Sequence, residues 1–485
     1  MEQYLLENVT RYQTLIQRFK KPAQKATGSN DAEMSSEMVM ATRIRPLLEE
    51  EISSGQVVAI YPRDEKSGVV DLHELKRVVR GLPTLNSSNF RVGKVFGPDR
   101  TTETIYEDTV QRLLPHAWEG NIGTLFAYGQ TGSGKTFTVS GLERLIARSL
   151  FDGTLAGERK VHVSIFELAG NSAFDLLNSH APFMILEDSF GNTQLVGIQE
   201  HQVQNTTELL TLVDQATAFR QTASTEKNDG SSRSHAICRI RIKNPAPDAL
   251  EDGILYLIDL AGSEAARDIA NHTADRMKET RDINTSLSIL KDCIRGMADL
   301  ENPATAGKPS KKPYIPFRQS MLTKVLKHLF DPEGNRCCRT TVLACVNPSF
   351  LGTGATKNTL RYAEMLRSAR PIRKGVAYDP TNPNTWSNKD LRSYIRIQSG
   401  DPSITPSDLA PHESGTQLLR IPTEKFVERC LKTHGVTKEQ ADITLNCGSC
   451  TLILDVLLID ISGISIVHRM CTLHMCSYII SSGEI

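Results

Sequence analysis

Residues 129–136 read GQTGSGKT and follow directly on the apolar run Ile122 to Tyr128. The spacing G-x-x-x-x-G-K-[ST] admits little besides a sharp turn between a strand and a helix. Gly129, Gly132 and Gly134 let the backbone curl until successive N–H groups, those of Gln130, Thr131 and Ser133 included, point inward at phosphate oxygens. Lys135 is spaced to reach the outer phosphates, and the Thr136 hydroxyl to ligate Mg²⁺. The N-terminus of the following helix favours the same anion. The motif therefore predicts a strand over 122–128, a loop, and a helix from about 134. A glycine-rich turn that holds no nucleotide is the alternative.

Short β-branched runs bounded by turn residues predict further strands at Val39–Ile44, Val161–Leu168, Ala236–Ile242, Ile254–Leu260 and Thr340–Val346. Helical patterns lie between them at Thr136–Leu150, Thr206–Phe219, Ile283–Met297, Ser320–Leu329 and Ala355–Ala369. Such alternation predicts an α/β fold of the phosphate-loop NTPase type. Its central, mostly parallel mixed sheet carries helices on both faces, with a small C-terminal extension. The expected organisation is an N-terminal helix and linker over 1–35, a folded core over 36–372, a turn-rich linker over 373–400, and a small helical or poorly ordered region over 401–485. In the last part, helices are expected at 387–396, with Ser387 as N-cap, and at 423–433.

A site that hydrolyses a nucleotide must also sense the terminal phosphate and hold the attacking water. NDGSSRSH, at 228–235, sets Ser231 and Ser232 beside Arg233 in a polar loop before a strand. The Ser232 hydroxyl suits Mg²⁺ or water, and Arg233 suits a carboxylate. DLAGSE, at 259–264, ends another strand. Asp259 is spaced like a Mg²⁺-side carboxylate, Gly262 offers an unobstructed N–H, and Glu264 is a natural partner for Arg233. Alone, the first segment also reads as a capped turn and the second as a strand end followed by a tight loop. In this order after a phosphate loop, chance is a poor account of them.

With these segments the sequence resembles the motor domain of the kinesins over residues 36–372. The likeness rests on RIRP at 43–46, AYGQTGSGKTFT at 127–138, NDGSSRSHA at 228–236, DLAGSE at 259–264, INTSLSILKDCIR at 283–295, YIPFRQSMLTKVL at 314–326 and NTLRYAEML at 358–366. FELAGNSAFDLLN at 166–178, ILEDSFGNTQLVGIQE at 185–200 and TADRMKE at 273–279 make it most similar to the kinesin-13 group, internal-motor kinesins that depolymerise microtubules. The resemblance implies ATP and Mg²⁺ as cofactors, with hydrolysis stimulated by microtubules. It implies that Arg43, Arg45 and Pro46 line an adenine pocket with Phe137 near the base. Ser232 and Arg233 would form one switch, and Asp259, Gly262 and Glu264 the other. Asn284 would open a long relay helix against tubulin, with Glu279 just before it. The chain departs from the family pattern at Thr280, Thr285 and Met321, where the family carries a glycine and two lysines, and the Lys-Val-Asp tip of depolymerising members is not visible in 75–90.

The formal net charge is +0, so any polyanion-binding surface must be local. Residues 308–327 contain Lys308, Lys311, Lys312, Arg318, Lys324 and Lys327 and no carboxylate. This strip is the expected face for acidic tubulin; no helix-turn-helix or zinc-finger spacing points to nucleic acid. Microtubules are the expected partner, in a cytoplasmic or cytoskeletal setting that includes the spindle. A non-motile microtubule- or kinesin-binding protein with weak or absent ATPase is the alternative, motivated by the same three departures. A small-molecule phosphotransferase leaves the basic strip unexplained. No heptad repeat predicts a long coiled coil, which leaves the oligomeric state open.

The N-terminus lacks the apolar core of a secretory signal. Thr451–Val467 is apolar but short and contains Asp455 and Asp460, so a small packed domain or a poorly folded tail is expected there and no membrane partner. Cys238, Cys293 and Cys345 read as buried thiols. Cys447, Cys450, His468, Cys471, His474 and Cys476 are of zinc-ligating type, but their spacing is loose and not finger-like.

Overall fold

The computed structural model describes residues 2–19, 37–64, 68–79, 81–187, 193–227, 233–244, 252–263, 274–300, 314–330, 337–368, 378–380, 383–411, 413–419, 421, 423–441 and 444. Two compact units divide between Lys374 and Gly375. The first contains strands β1 (Met38–Ile44), β2 (Ile60–Asp64), β3 (Val69–Lys76), β4 (Thr84–Arg91), β5 (Lys94–Phe96), β6 (Ile122–Tyr128), β7 (Lys160–Ala169), β8 (Ser172–Asp175), β9 (Ala181–Glu187), β10 (Thr193–Val196), β11 (His201–Val203), β12 (His235–Lys243), β13 (Gly253–Asp259) and β14 (Cys338–Val346).

The large sheet runs β10-β9-β8-β7-β12-β13-β6-β14-β1-β5, with β11 on β7. It is mixed, as expected, but its parallel part is narrower than "mostly parallel" implies. Parallel pairing spans β13, β6, β14, β1 and β5 only. The other half, β12 outward, pairs antiparallel, because tight turns such as Gly170–Asn171 join neighbouring strands there without a crossover helix. A separate antiparallel sheet, β2-β3-β4, was not expected; its β4, TLNSSNFR, is too polar to read as a strand.

Strand β6 sits at the centre and is buried along its whole length. Its side chains alternate between two cores. Phe126 and Tyr128 join one with Leu287, Leu290 and Ile294 of the helix Ala274–Leu300 and Leu360 and Tyr362 of the helix Thr353–Ser368. Leu125 and Ala127 join the other with Leu142 and Ile146 of the helix Lys135–Leu150 and Val213 of the helix Thr206–Lys227. Period-two alternation on a strand covered on both sides thus fixes the position of the loop that follows Tyr128.

The N-terminal segment forms two short helices, Glu2–Glu7 and Val9–Gln17, broken at Asn8. They pack within the first unit: Tyr12 is fully buried, lies 5.5 Å from the Phe350 ring and donates its hydroxyl to the His73 carbonyl at 3.0 Å. Likewise, the helix expected over 320–329 is two short pieces, Met321–Val325 and Lys327–Phe330, the first capped by the Ser320 hydroxyl.

The second unit is helical where described. Ser387 caps the helix Asn388–Gln398 as expected: its hydroxyl accepts from the Asp390 N–H, and the Asp390 carboxylate accepts from the Ser387 N–H at 3.1 Å. The helix Thr423–Cys430 buries Phe426 and Cys430. Residues 445–485, including the six zinc-type residues and the apolar run 451–467, lie outside the described residues. No helix among the described residues is long and apolar enough to cross a membrane.

Candidate nucleotide site

The loop between β6 and the helix Lys135–Leu150 has the conformation its glycines permit. Gly132 and Gly134 have φ of +74° and +90°, where a side chain is strained. Gly129 passes against β14: a Cβ there would meet the Cys345 carbonyl oxygen at 2.1 Å. Gly134 is the N-cap, so the amides of the first helical turn face the loop. Lys135 is buried, and its ammonium donates to the Gln130 carbonyl at 2.9 Å, which folds it back over the loop.

Asp259, at the end of β13, meets this loop. Its Oδ2 accepts a 2.7 Å hydrogen bond from the Thr136 hydroxyl, and the Ser263 N–H donates to the Gly129 carbonyl at 3.1 Å. Three buried oxygens around the loop lack hydrogen-bond partners: Asp259 Oδ1, Ser133 Oγ and Gln130 Oε1. A buried carboxylate oxygen without a donor is costly in isolation and well suited to a cation or its bound water. The hydroxyl and carboxylate are hard oxygen ligands of the kind Mg²⁺ takes, and the curled amides fit a phosphate chain. The residues present therefore fit ATP with Mg²⁺. Ser232 and Glu264, the other expected members, lie outside the described residues. Arg233 and Gly262 are described, the latter buried beside Ala261.

The expected base-side residues divide by role. Arg43 is buried and donates to the hydroxyls of Thr138 at 2.8 Å and Thr102 at 3.1 Å, while its guanidinium lies over the Phe137 ring at 5.3 Å. Phe137 itself is 71 % exposed beside the loop. Arg45 donates to the Gly132 carbonyl at 2.7 Å and forms a fork with Glu51. Glu51 is held below its ordinary carboxylate range by that fork against the opposing effect of burial. Pro46 follows, its carbonyl accepting from Arg45. Arg43 thus supports Phe137 rather than facing open space, and Arg45 braces the loop.

Two residues escaped the sequence reading. Arg220, on the helix Thr206–Lys227, donates to Asp259 Oδ2 at 3.3 Å and to the Ser234 carbonyl at 2.6 Å. Ser234 in turn donates to Glu167 at 2.6 Å. A lone arginine on a polar helix gives no sequence signal for such a role. His235, within the motif but unassigned, is 3 % exposed. Its Nδ1 accepts from the Ala261 N–H at 3.0 Å, and its Nε2 lies 2.9 Å from Ser286 Oγ. Burial, with Arg220 and Lys135 nearby, pushes its pKa down to about 3, so the ring is neutral. Next to Asp259, a cavity of about 110 Å³ is lined by Thr136, Glu143, Thr217 and Arg220. Burial and then Asp259 push the Glu143 carboxyl up to about 8.

The basic strip differs from expectation. Lys308, Lys311 and Lys312 lie outside the described residues. Lys327, expected to face a partner, is buried and donates to Glu187 at 2.7 Å. Arg318 is exposed but forks onto the same carboxylate at 2.8 Å through both nitrogens. These two cations hold the Glu187 carboxyl down to about 2. Lys324 is half-buried. Met321, at a position where the family has lysine, packs against the core. Asn284 does not open the long helix, which begins ten residues earlier at Ala274.

A glycine-rich cradle at the end of a central parallel strand, closed by a carboxylate from the neighbouring strand, defines a phosphate-loop nucleotide-binding fold. The chain belongs to the kinesin family: residues 43–369 match the kinesin motor domain. It is 34 % identical over 361 residues to diatom spindle kinesin-1 of Cylindrotheca fusiformis, covering 73 % of this chain and 54 % of that protein. It is 34 % identical over 384 residues to kinesin-like protein KIF24 of Homo sapiens (77 % and 26 %) and 32 % identical over 378 residues to kinesin-like protein KIN-13B of Arabidopsis thaliana (76 % and 52 %). The chain spans about half of these relatives' length or less. Among solved structures it is similar to the C-terminal motor and motor homology domain of Kar3Vik1 fused to a synthetic heterodimeric coiled coil. That match has a TM-score of 0.55 and 28 % identity over 68 % of this chain and 84 % of that one.

Proposed function

We propose that this chain is an ATP hydrolase whose turnover is stimulated by microtubules. The observation that carries the reading is the Thr136–Asp259 hydrogen bond at 2.7 Å with Asp259 Oδ1 buried and unpartnered beside the glycine loop. When bound, ATP and Mg²⁺ supply the transferable phosphoryl group and part of its charge neutralisation. The chain's own residues do the rest. Loop amides and Lys135 would bind the phosphates, Phe137 would stack on the base, and Asp259 and Thr136 would hold the metal. With ATP bound, Ser232 would position water, Arg233 would pair with Glu264, and Gly262 would offer its N–H to the terminal phosphate. Closure of those loops moves the helix Ala274–Leu300 against an acidic filament. Lys308, Lys311 and Lys312 supply its electrostatic attraction, and the setting is the cytoplasmic cytoskeleton, the spindle included.

ATP hydrolysis measured with and without stabilised microtubules, while polymer length is followed, tests this. Stimulation of turnover supports the motor reading, and shortening of polymer adds the depolymerising activity of the kinesin-13 group. Unchanged turnover overturns both. A second reading, a non-motile microtubule-binding protein with weak ATPase, is favoured by Met321 packed against the core and by Lys327 and Arg318 engaged with Glu187. Binding without stimulated turnover selects it.

A further inference from the structure

We infer that His235 is a positioning residue that pins the loop after β13 to the helix Ala274–Leu300, and that Ser286 is its anchor on that helix. The inference rests on the nucleotide-driven reading above and names the link that reading leaves open. His235 begins β12, two residues after Arg233. Ala261 stands two residues after Asp259. Ser286 lies on the helix that packs against the opposite face of the sheet from Lys135–Leu150. One buried imidazole therefore touches all three elements.

The protons along this chain are fixed by its partners. The Ala261 N–H donates to Nδ1 at 3.0 Å, so Nδ1 carries no hydrogen. A neutral ring then bears its hydrogen on Nε2, which donates to Ser286 Oγ at 2.9 Å. The Ser286 hydroxyl donates in turn to the Ile283 carbonyl at 2.8 Å, one turn back on its own helix. Every bond in the run Ala261, His235, Ser286, Ile283 has a donor and an acceptor, and both side chains are buried. Displacement of the Ala261 peptide therefore either carries the ring and the helix with it or breaks a buried hydrogen bond. A rigid ring with one acceptor and one donor on opposite sides transmits a push that a flexible side chain would absorb. Arg220 braces the same point, since it holds the carbonyl of Ser234, the preceding residue.

The test is Ser286→Ala, which removes the anchor without touching the nucleotide loop. Uptake of a fluorescent ATP analogue should stay within about twofold of the unsubstituted chain, since no atom of the loop is changed. The analogue-induced change in amide hydrogen exchange over residues 281–297 should fall by about fivefold or more. Ser286→Thr, which retains the hydroxyl, should restore it. An unaltered exchange response in Ser286→Ala overturns the inference, and so does a Thr variant as impaired as the Ala variant, because packing would then be the cause. A measurement without substitution stands beside these. With ¹⁵N-labelled histidine in the full chain at pH 7, the His235 ring should carry its proton on Nε2, and its shifts should move when the analogue binds. A proton on Nδ1, or a ring unaffected by the analogue, overturns the inference. A chain that takes up no analogue at all overturns the ATPase reading instead, and this inference with it.

Discussion

At the residue scale, the site is a set of charges whose partners come from distant parts of the chain. Lys135 sits on the loop it serves, and replacing it with Ala removes the only ammonium within the cradle among the described residues. Loss of one such group typically costs on the order of 10² or more in turnover, and phosphate release by Lys135→Ala should fall at least that far. Arg220 is different in kind. It is buried between Asp259 and Glu167, so Arg220→Ala leaves carboxylates without their cation. Breaking a buried ionic cluster costs about 3 kcal/mol, and denaturant unfolding should register that loss before any assay of turnover. Glu143 gives a pH signature. Its carboxyl is raised to about 8 in the fold, against about 4.3 in an unfolded chain, so the folded state binds the proton more tightly. Stability from this group is fully present below about pH 4 and declines as pH rises through 8. Glu143→Gln should therefore leave the melting temperature unchanged near pH 4 and raise it near pH 8.5, where the shift corresponds to at most about 5 kcal/mol.

At the element scale, local signals fixed some parts and long-range packing the others. The strand Ile122–Tyr128, the helix after Gly134 and the Ser387 cap lie where the sequence predicts them, because each is set by residues within one or two turns. The helices Thr206–Lys227 and Ala274–Leu300 outrun their apolar patterns, since extension into polar sequence leaves no periodic trace. Lys327 shows why the basic strip misleads: composition lists a charge but not its partner, and Glu187 comes from a strand about 140 positions earlier in the chain. That carboxylate ties β9 to the segment after Phe317, with the Arg318 fork shortening the reach. Because Glu187 is held down to about 2, its contribution is present above the unfolded value near 4.3 and disappears as pH falls toward 2. The N-terminal helices teach the same lesson. Their amphipathic pattern was legible, but not that Tyr12 would be buried against Phe350. Tyr12→Ala empties a full aromatic site and should cost about 3 to 5 kcal/mol of unfolding free energy, which places those helices energetically within the first unit.

At the scale of the whole molecule, the chain has two units, and the glycine loop with every described residue around it lies in the first. Everything described around the phosphate loop, including the His235 link, falls between Arg43 and Cys345, and the division comes at Lys374. The second unit has its own buried residues, Trp386, Leu391, Ile395 and Phe426, and its own capped helix. Cutting the chain between Lys374 and Gly375 should therefore leave a first unit that takes up nucleotide with the affinity of the full chain, read by the same fluorescent analogue. Attraction to a filament is a different matter, because it depends on charge rather than on packing. With a net charge of +0, only local clusters can steer the chain to an acidic polymer, and Lys311 and Lys312 stand in a stretch without carboxylates. Replacing both with Gln should weaken microtubule cosedimentation strongly at low salt and little at about 0.15 M, where the screening length is near 8 Å. A loss of binding that ignores salt would mean instead that the two lysines act through direct, desolvated contacts, and the filament-facing surface would have to be packed rather than merely attracted.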